Sequence, residues 1–143
     1  MNPKGIIIHH TLTEDGRTVS ANPIYDYHVD VNHWKAVGYH AIIELVGPRY
    51  WILQGRMDNE MGAHCMGFND YLGIAIVGNL DKTEVCPAEM ELLKKWCRAK
   101  IQIYGFKVPD VLGHWETYSL RKLPVEKTCP GLKFNMIEFR KSL

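Results

Sequence analysis

Two histidines and a cysteine stand where a metal ion could use them. His9 ends the apolar run IIIHH, and His114 ends the shorter run DVLGH at residues 110–114. A polar imidazole at the end of a buried strand needs a partner. A hydrogen-bonded structural histidine answers that need as well as a metal ligand does. Cys129 lies fifteen residues beyond His114, inside KTCPG. Neutral imidazoles and a thiolate are good zinc ligands, and three protein ligands leave a fourth coordination position open. The spacing is not that of a local zinc finger, and spacing alone does not join residues over a hundred positions apart. Taken singly, Cys129 reads first as an inert buried thiol.

The elements that must position these residues follow from periodicity. Residues 4–10 (KGIIIHH) and 72–78 (LGIAIVG) are short apolar runs that predict buried strands. Residues 39–46 (YHAIIELV) predict a strand, Gly47-Pro48 a turn, and Tyr50 to Gln54 its hairpin partner. Asn22-Pro23 suits a helix start. From there to about Lys35, Ile24, Tyr27, Val31 and Trp34 share one helical face. A second helix is predicted over 87–104, with Pro87 in the first turn, Glu89 and Glu91 near the positive end of its dipole, and Gly105 as its stop. A short strand at 110–114 and a closing helix at 132–142 complete the order. The methionines and Trp96 read as core. The pattern predicts an α/β domain with a mixed sheet and helices packed on it.

Between the hairpin and the strand at 72–78, residues 55–71 hold three glycines, two Asn and two Asp. So long an irregular stretch is a frequent carrier of function.

Composition bounds the alternatives. The chain has 143 residues, 46% of them hydrophobic, which suits one domain with one core, 1–143. Its 17 basic and 16 acidic residues are well mixed, so nothing suggests a nucleic-acid partner. No run reaches the roughly 18–20 apolar residues of a membrane span, and MNPKGIIIHHT is too short an apolar run for a signal peptide. Synthesis in the cytoplasm without membrane insertion, and free thiols at Cys65, Cys86, Cys97 and Cys129, are the expectations.

Four blocks then link the distant residues: IIIHHT, VGYHAII, GAHCMGFNDYLGIAIVGN, and GHWE followed by KTCPG. In this order and spacing, over residues 4–131, the chain resembles the type-2 N-acetylmuramoyl-L-alanine amidases, the superfamily of phage amidase-type lysozymes and peptidoglycan recognition proteins. The resemblance implies a mixed central sheet with helices on both sides. It implies one zinc ion on His9, His114 and Cys129, with Tyr39 and Lys127 completing the active site, and substrate-groove positions at His64 and Asn69.

The activity so implied is hydrolysis of the amide between N-acetylmuramic acid and L-alanine in peptidoglycan, by a monomer, as in a phage or prophage endolysin that reaches the wall with a holin. Zinc would supply activated water and a polarised carbonyl. Lys127 would stabilise the oxyanion, and Tyr39 would donate a hydrogen bond or assist proton transfer. A peptidoglycan-binding module without catalysis is the alternative. Arg56 is either a contact for a stem-peptide carboxylate or a surface arginine, and His10 either supports its neighbour or packs. His28 and His33 receive no catalytic role. Many relatives carry a small residue where this chain has Tyr71-Leu72, which would alter the groove.

Overall fold

The computed structural model describes residues 1–13, 27–31, 33 and 36–143. Five strands form one mixed sheet: β1 Ile6–His10, β2 Ala41–Val46, β3 Arg49–Gln54, β4 Leu72–Ile76 and β5 Val111–Gly113. Their spatial order is β3-β2-β4-β1-β5. β1 runs parallel to both β4 and β5, β2 runs parallel to β4, and the hairpin partner β3 is antiparallel. The predicted mixed sheet is therefore present, and the hairpin is what makes it mixed.

The strand alternation sorts the side chains into two faces. Ile6, Ile8, Ala41, Ile43, Leu72, Ile74, Ile76 and Val111 face the main core. That face is covered by α1, Pro87–Tyr104, through Leu93 and Cys97, and by α3, Met136–Lys141, through Met136 and Phe139. Residues at the alternate positions, Ile7, His9, Ile42, Glu44, Gly73 and Ala75, point to the opposite face. A short helix α2, Glu116–Leu120, lies on that second side, where its Thr117 reaches Cys65 of the glycine-rich loop.

α1 has the bounds its pattern predicts. Cys86 caps it, with Sγ accepting from the Glu89 amide while the Glu89 carboxylate accepts from the Cys86 amide. Glu89 is buried in this reciprocal cap, a closer engagement than the dipole alone requires. Gly105 ends the helix at φ 70°, a left-handed conformation suited to glycine.

Three expectations need adjustment. The helix from Asn22 to about Lys35 falls largely outside the described residues; the part described is a single π-helical turn, Tyr27–Val31, whose Val31 is exposed. The methionines divide: Met136 is core, whereas Met57, Met61 and Met66 of the loop are 53–80% exposed. α2 was not expected, because five residues show no helical period. No helix among the described residues is long and apolar enough to cross a membrane.

Candidate metal centre

Each member of the proposed triad comes from a different local device. His9 sits on the second face of β1 because Ile6 and Ile8 occupy the first. The His114 amide donates to the Ile8 carbonyl at 3.2 Å, which extends the β1–β5 ladder by one residue and seats the two imidazoles side by side, centroids 4.6 Å apart. Cys129 arrives on a loop pinned from both sides. Its carbonyl accepts from the Trp115 amide at 2.8 Å, and the Asp81 carboxylate accepts from the Thr128 hydroxyl and the Leu132 amide at 2.9 Å each. Gly131, at φ 128°, lets this loop press on Leu80, since a Cβ there would lie 2.5 Å from the Leu80 main chain.

The outcome is a compact donor set. One ligand atom from each of His9, His114 and Cys129 lies within 4.8 Å of the others, and all three residues are buried. The Cys129 Sγ stands 3.5 Å from His9 Nδ1. Zinc bonds of about 2.0–2.1 Å to nitrogen and about 2.3 Å to sulfur place tetrahedral N and S ligands roughly 3.5 Å apart, so this pair fits a shared zinc.

Electrostatics prepare the donors unequally. Burial holds His9 well below its ordinary pKa, helped by the nearby His64 and His114. Burial, with Lys127 and Arg121 adding to it, lowers His114 to about 4. Both imidazoles are thus neutral at physiological pH, the form that binds a metal. Burial drives the Cys129 thiol the wrong way for a ligand, up to about 12, against the downward pull of the His10 amide and the Lys127 charge. A metal must itself displace that proton.

The auxiliary residues surround this centre. The Tyr39 ring lies 5.2 Å from the His9 ring, and its carbonyl is approached so closely by Gly55 that a Cβ there would sit 2.1 Å from it. Lys127 is exposed, yet its charge is felt by His9, His114 and Cys129 alike. His64 also borders His9, with Nδ1 3.0 Å from His9 Nε2 and Nε2 3.0 Å from the Tyr71 carbonyl. Burial lowers His64 to about 3, against the opposing Tyr71 bond. Both its ring nitrogens therefore have partners inside the protein. Asn69 uses Oδ1 to accept from the amides of His64 and Cys65, which shapes the loop.

Other candidates resolve differently. The Arg56 guanidinium donates to the main-chain carbonyls of Val37, Met61 and Ala36, so it clamps the loop to the segment before β2. His10 turns to the opposite face from His9, where Nδ1 accepts from the Leu80 amide. Leu72 belongs to the main core, and the Tyr71 ring lies against Gly5 and Phe68, about 13 Å of strand from His9. The Tyr71 and Leu72 side chains thus lie away from the metal centre, whereas the Tyr71 carbonyl is linked to His9 through His64. His33 is exposed, and the side chain of His28 lies outside the described residues.

One support escapes sequence reasoning. Glu116, two residues after His114, accepts a two-pronged contact from Arg140 at 2.8 and 2.9 Å and also from the Gly113 amide at 2.7 Å. It ties α3 to the strand end that presents His114. An acidic residue so close to a candidate ligand is a readable signal; nothing in the sequence points to Arg140.

Comparison with known proteins identifies the family and the fold. The family model described as N-acetylmuramoyl-L-alanine amidase matches residues 1–132. A peptidoglycan recognition protein of Bombyx mori is 29% identical over 136 residues, covering 92% of this chain and 66% of that protein. An N-acetylmuramoyl-L-alanine amidase of Homo sapiens is 30% identical over 140 residues, 90% of this chain but 23% of the human one, so the chain spans only part of these curated relatives. Among solved structures, the N-acetylmuramoyl-L-alanine amidase LysC from Clostridium intestinale URNW superposes with a TM-score of 0.79 at 26% identity, covering 99% of this chain and 85% of that one. With the family model matching nearly its whole length, the chain belongs to the N-acetylmuramoyl-L-alanine amidase family.

Proposed function

We propose that this chain is a zinc-dependent hydrolase that cuts the amide between N-acetylmuramic acid and L-alanine in bacterial peptidoglycan, as a single catalytic domain acting in endolysin fashion. The observation that carries the reading is the convergence of two buried neutral imidazoles and one thiol from three separate segments. The family membership supplies the substrate class.

His9, His114 and Cys129 would hold the ion. A zinc ion bound there supplies Lewis acidity toward water and the amide carbonyl. The chain's own residues do the rest. Burial excludes bulk water from the triad, which strengthens every charge interaction at the reacting carbonyl. Lys127 brings an ammonium to a centre whose three donor residues already sense its charge, and it stabilises the negative charge that develops on the carbonyl oxygen. Tyr39, ring against His9, offers a hydroxyl that donates a hydrogen bond to the same developing charge. Asn69 shapes the adjoining loop.

Recognition without cleavage is the competing reading, brought by the recognition-protein relative. One experiment separates the two. Purified peptidoglycan is digested with and without chelator, with Cys129→Ala alongside, and the fragments are read by mass spectrometry. New L-alanine amino termini, lost on chelation and in the variant, support the hydrolase. Tight binding by folded, zinc-loaded protein without new termini supports the recognition module.

A further inference from the structure

We propose that His64 is a positioning residue that sets the tautomer of His9, so that His9 presents Nδ1 to the metal. The inference rests on the reading of His9 as a zinc ligand, but its logic is internal to the chain.

The argument starts at a main-chain carbonyl, which can only accept. The Tyr71 carbonyl stands 3.0 Å from His64 Nε2, so that nitrogen carries the proton. In a neutral ring the other nitrogen, Nδ1, is then an acceptor. It faces His9 Nε2 at 3.0 Å, and a hydrogen bond there requires the proton on His9 Nε2. The lone pair of His9 is left on Nδ1, the atom 3.5 Å from Cys129 Sγ. The chain Tyr71 carbonyl to His64 to His9 thus turns a backbone acceptor into a specified ligand atom.

The His64 ring has little freedom to break this chain. A Cβ on Gly62 or on Gly73 would lie 2.6 Å from a ring carbon of His64, so the ring fills the space two glycines leave. The Asn69 side chain fixes the His64 amide at 3.0 Å. Orienting partners of this kind commonly change metal affinity 10–100-fold when removed.

The test uses two readouts besides activity. Nitrogen-15 NMR of the imidazoles in metal-free protein reads the His9 tautomer, and chelator competition reads zinc affinity. His64→Phe keeps a ring in the cleft without its nitrogens, and His64→Gln restores one donor and one acceptor. We expect wild-type His9 protonated at Nε2 alone, a mixed tautomer in His64→Phe, a zinc Kd raised about 10–100-fold in that variant, and partial return in His64→Gln. A wild-type His9 protonated at Nδ1 overturns the proposal without any variant, so misfolding of His64→Phe cannot shelter it. Unchanged zinc affinity in a folded His64→Phe overturns it as well, including where only KM rises, as a substrate contact would require. Failure of wild-type protein to bind zinc refutes the metal reading instead, while the NMR result still decides the tautomer.

Discussion

Zinc uptake by this protein should release one proton, and that proton should come from Cys129. Free thiols titrate near 8.5, but burial holds this one at about 12. His114, lowered to about 4, and His9, also well lowered, have none to give near neutrality. At pH 7 the thiol lies about five units below its pKa, so ionising it without a metal would cost roughly 7 kcal/mol at 1.36 kcal/mol per unit. Zinc must supply that, which is within the roughly 10–16 kcal/mol that structural zinc sites release. Apparent affinity should therefore climb tenfold per unit between about pH 6 and about pH 7. Calorimetry in buffers of different ionisation enthalpy counts the protons, and chelator competition gives the slope. Cys129→Ala, which carries no ionisable group at this position, should release none and bind zinc more weakly, with a flat profile. A flat wild-type profile would mean a thiolate already present, and a slope near a hundredfold per unit would mean a protonated histidine; either refutes the electrostatic account.

Two further perturbations probe the scaffold. Glu44 is buried on the second face of the sheet, with neither carboxylate oxygen hydrogen-bonded among the described residues, and burial raises its pKa. Because the unfolded carboxyl ionises more readily, stability falls as pH rises from about 4.5 through the raised folded value. Glu44→Met should thus stabilise the protein at neutral pH by about 1–3 kcal/mol in urea unfolding and weaken the pH dependence; a loss of stability would show that the carboxylate is compensated. Gly73→Ala should cost about 1–3 kcal/mol by driving a methyl into the His64 ring, and it should weaken zinc binding in parallel. Normal stability and affinity together would show that the ring has room to move.

The sheet was legible because its strands are written as compact apolar runs. The central run of isoleucines and the Gly-Ile-Ala-Ile run sit side by side in parallel register, Ile8 opposite Ile74. α1 was legible to its ends because proline and glycine punctuate it. The triad was a different case. Spacing could not join His9 to Cys129; the family motifs did, and the fold brings their donor atoms together. What stayed hidden depends on contacts between distant segments. Arg56 could be read as a charge, but not as a donor to three carbonyls, because those carbonyls belong to segments with no distinguishing residue type. The loop methionines read as core because hydrophobicity carries no information about which loop is left uncovered.

The histidines show how one physical rule serves both fold and site. Imidazole is the neutral side chain that donates from one ring nitrogen and accepts at the other. His40 uses both, accepting from the Gly73 amide at 2.9 Å and donating from Nε2 to the Glu60 carbonyl at 3.0 Å. His64 is wired in the same sense, from the Tyr71 carbonyl to His9. Together they fasten the glycine-rich loop to β1, β2 and β4 through side chains that carry no charge. Burial lowers the pKa of both, which keeps the wiring neutral. Metal ligation needs the same neutral imidazole. The desolvation that makes histidine a connector beneath this loop therefore also readies His9 and His114 as ligands, and it leaves Cys129 as the one member of the triad that the fold alone does not prepare.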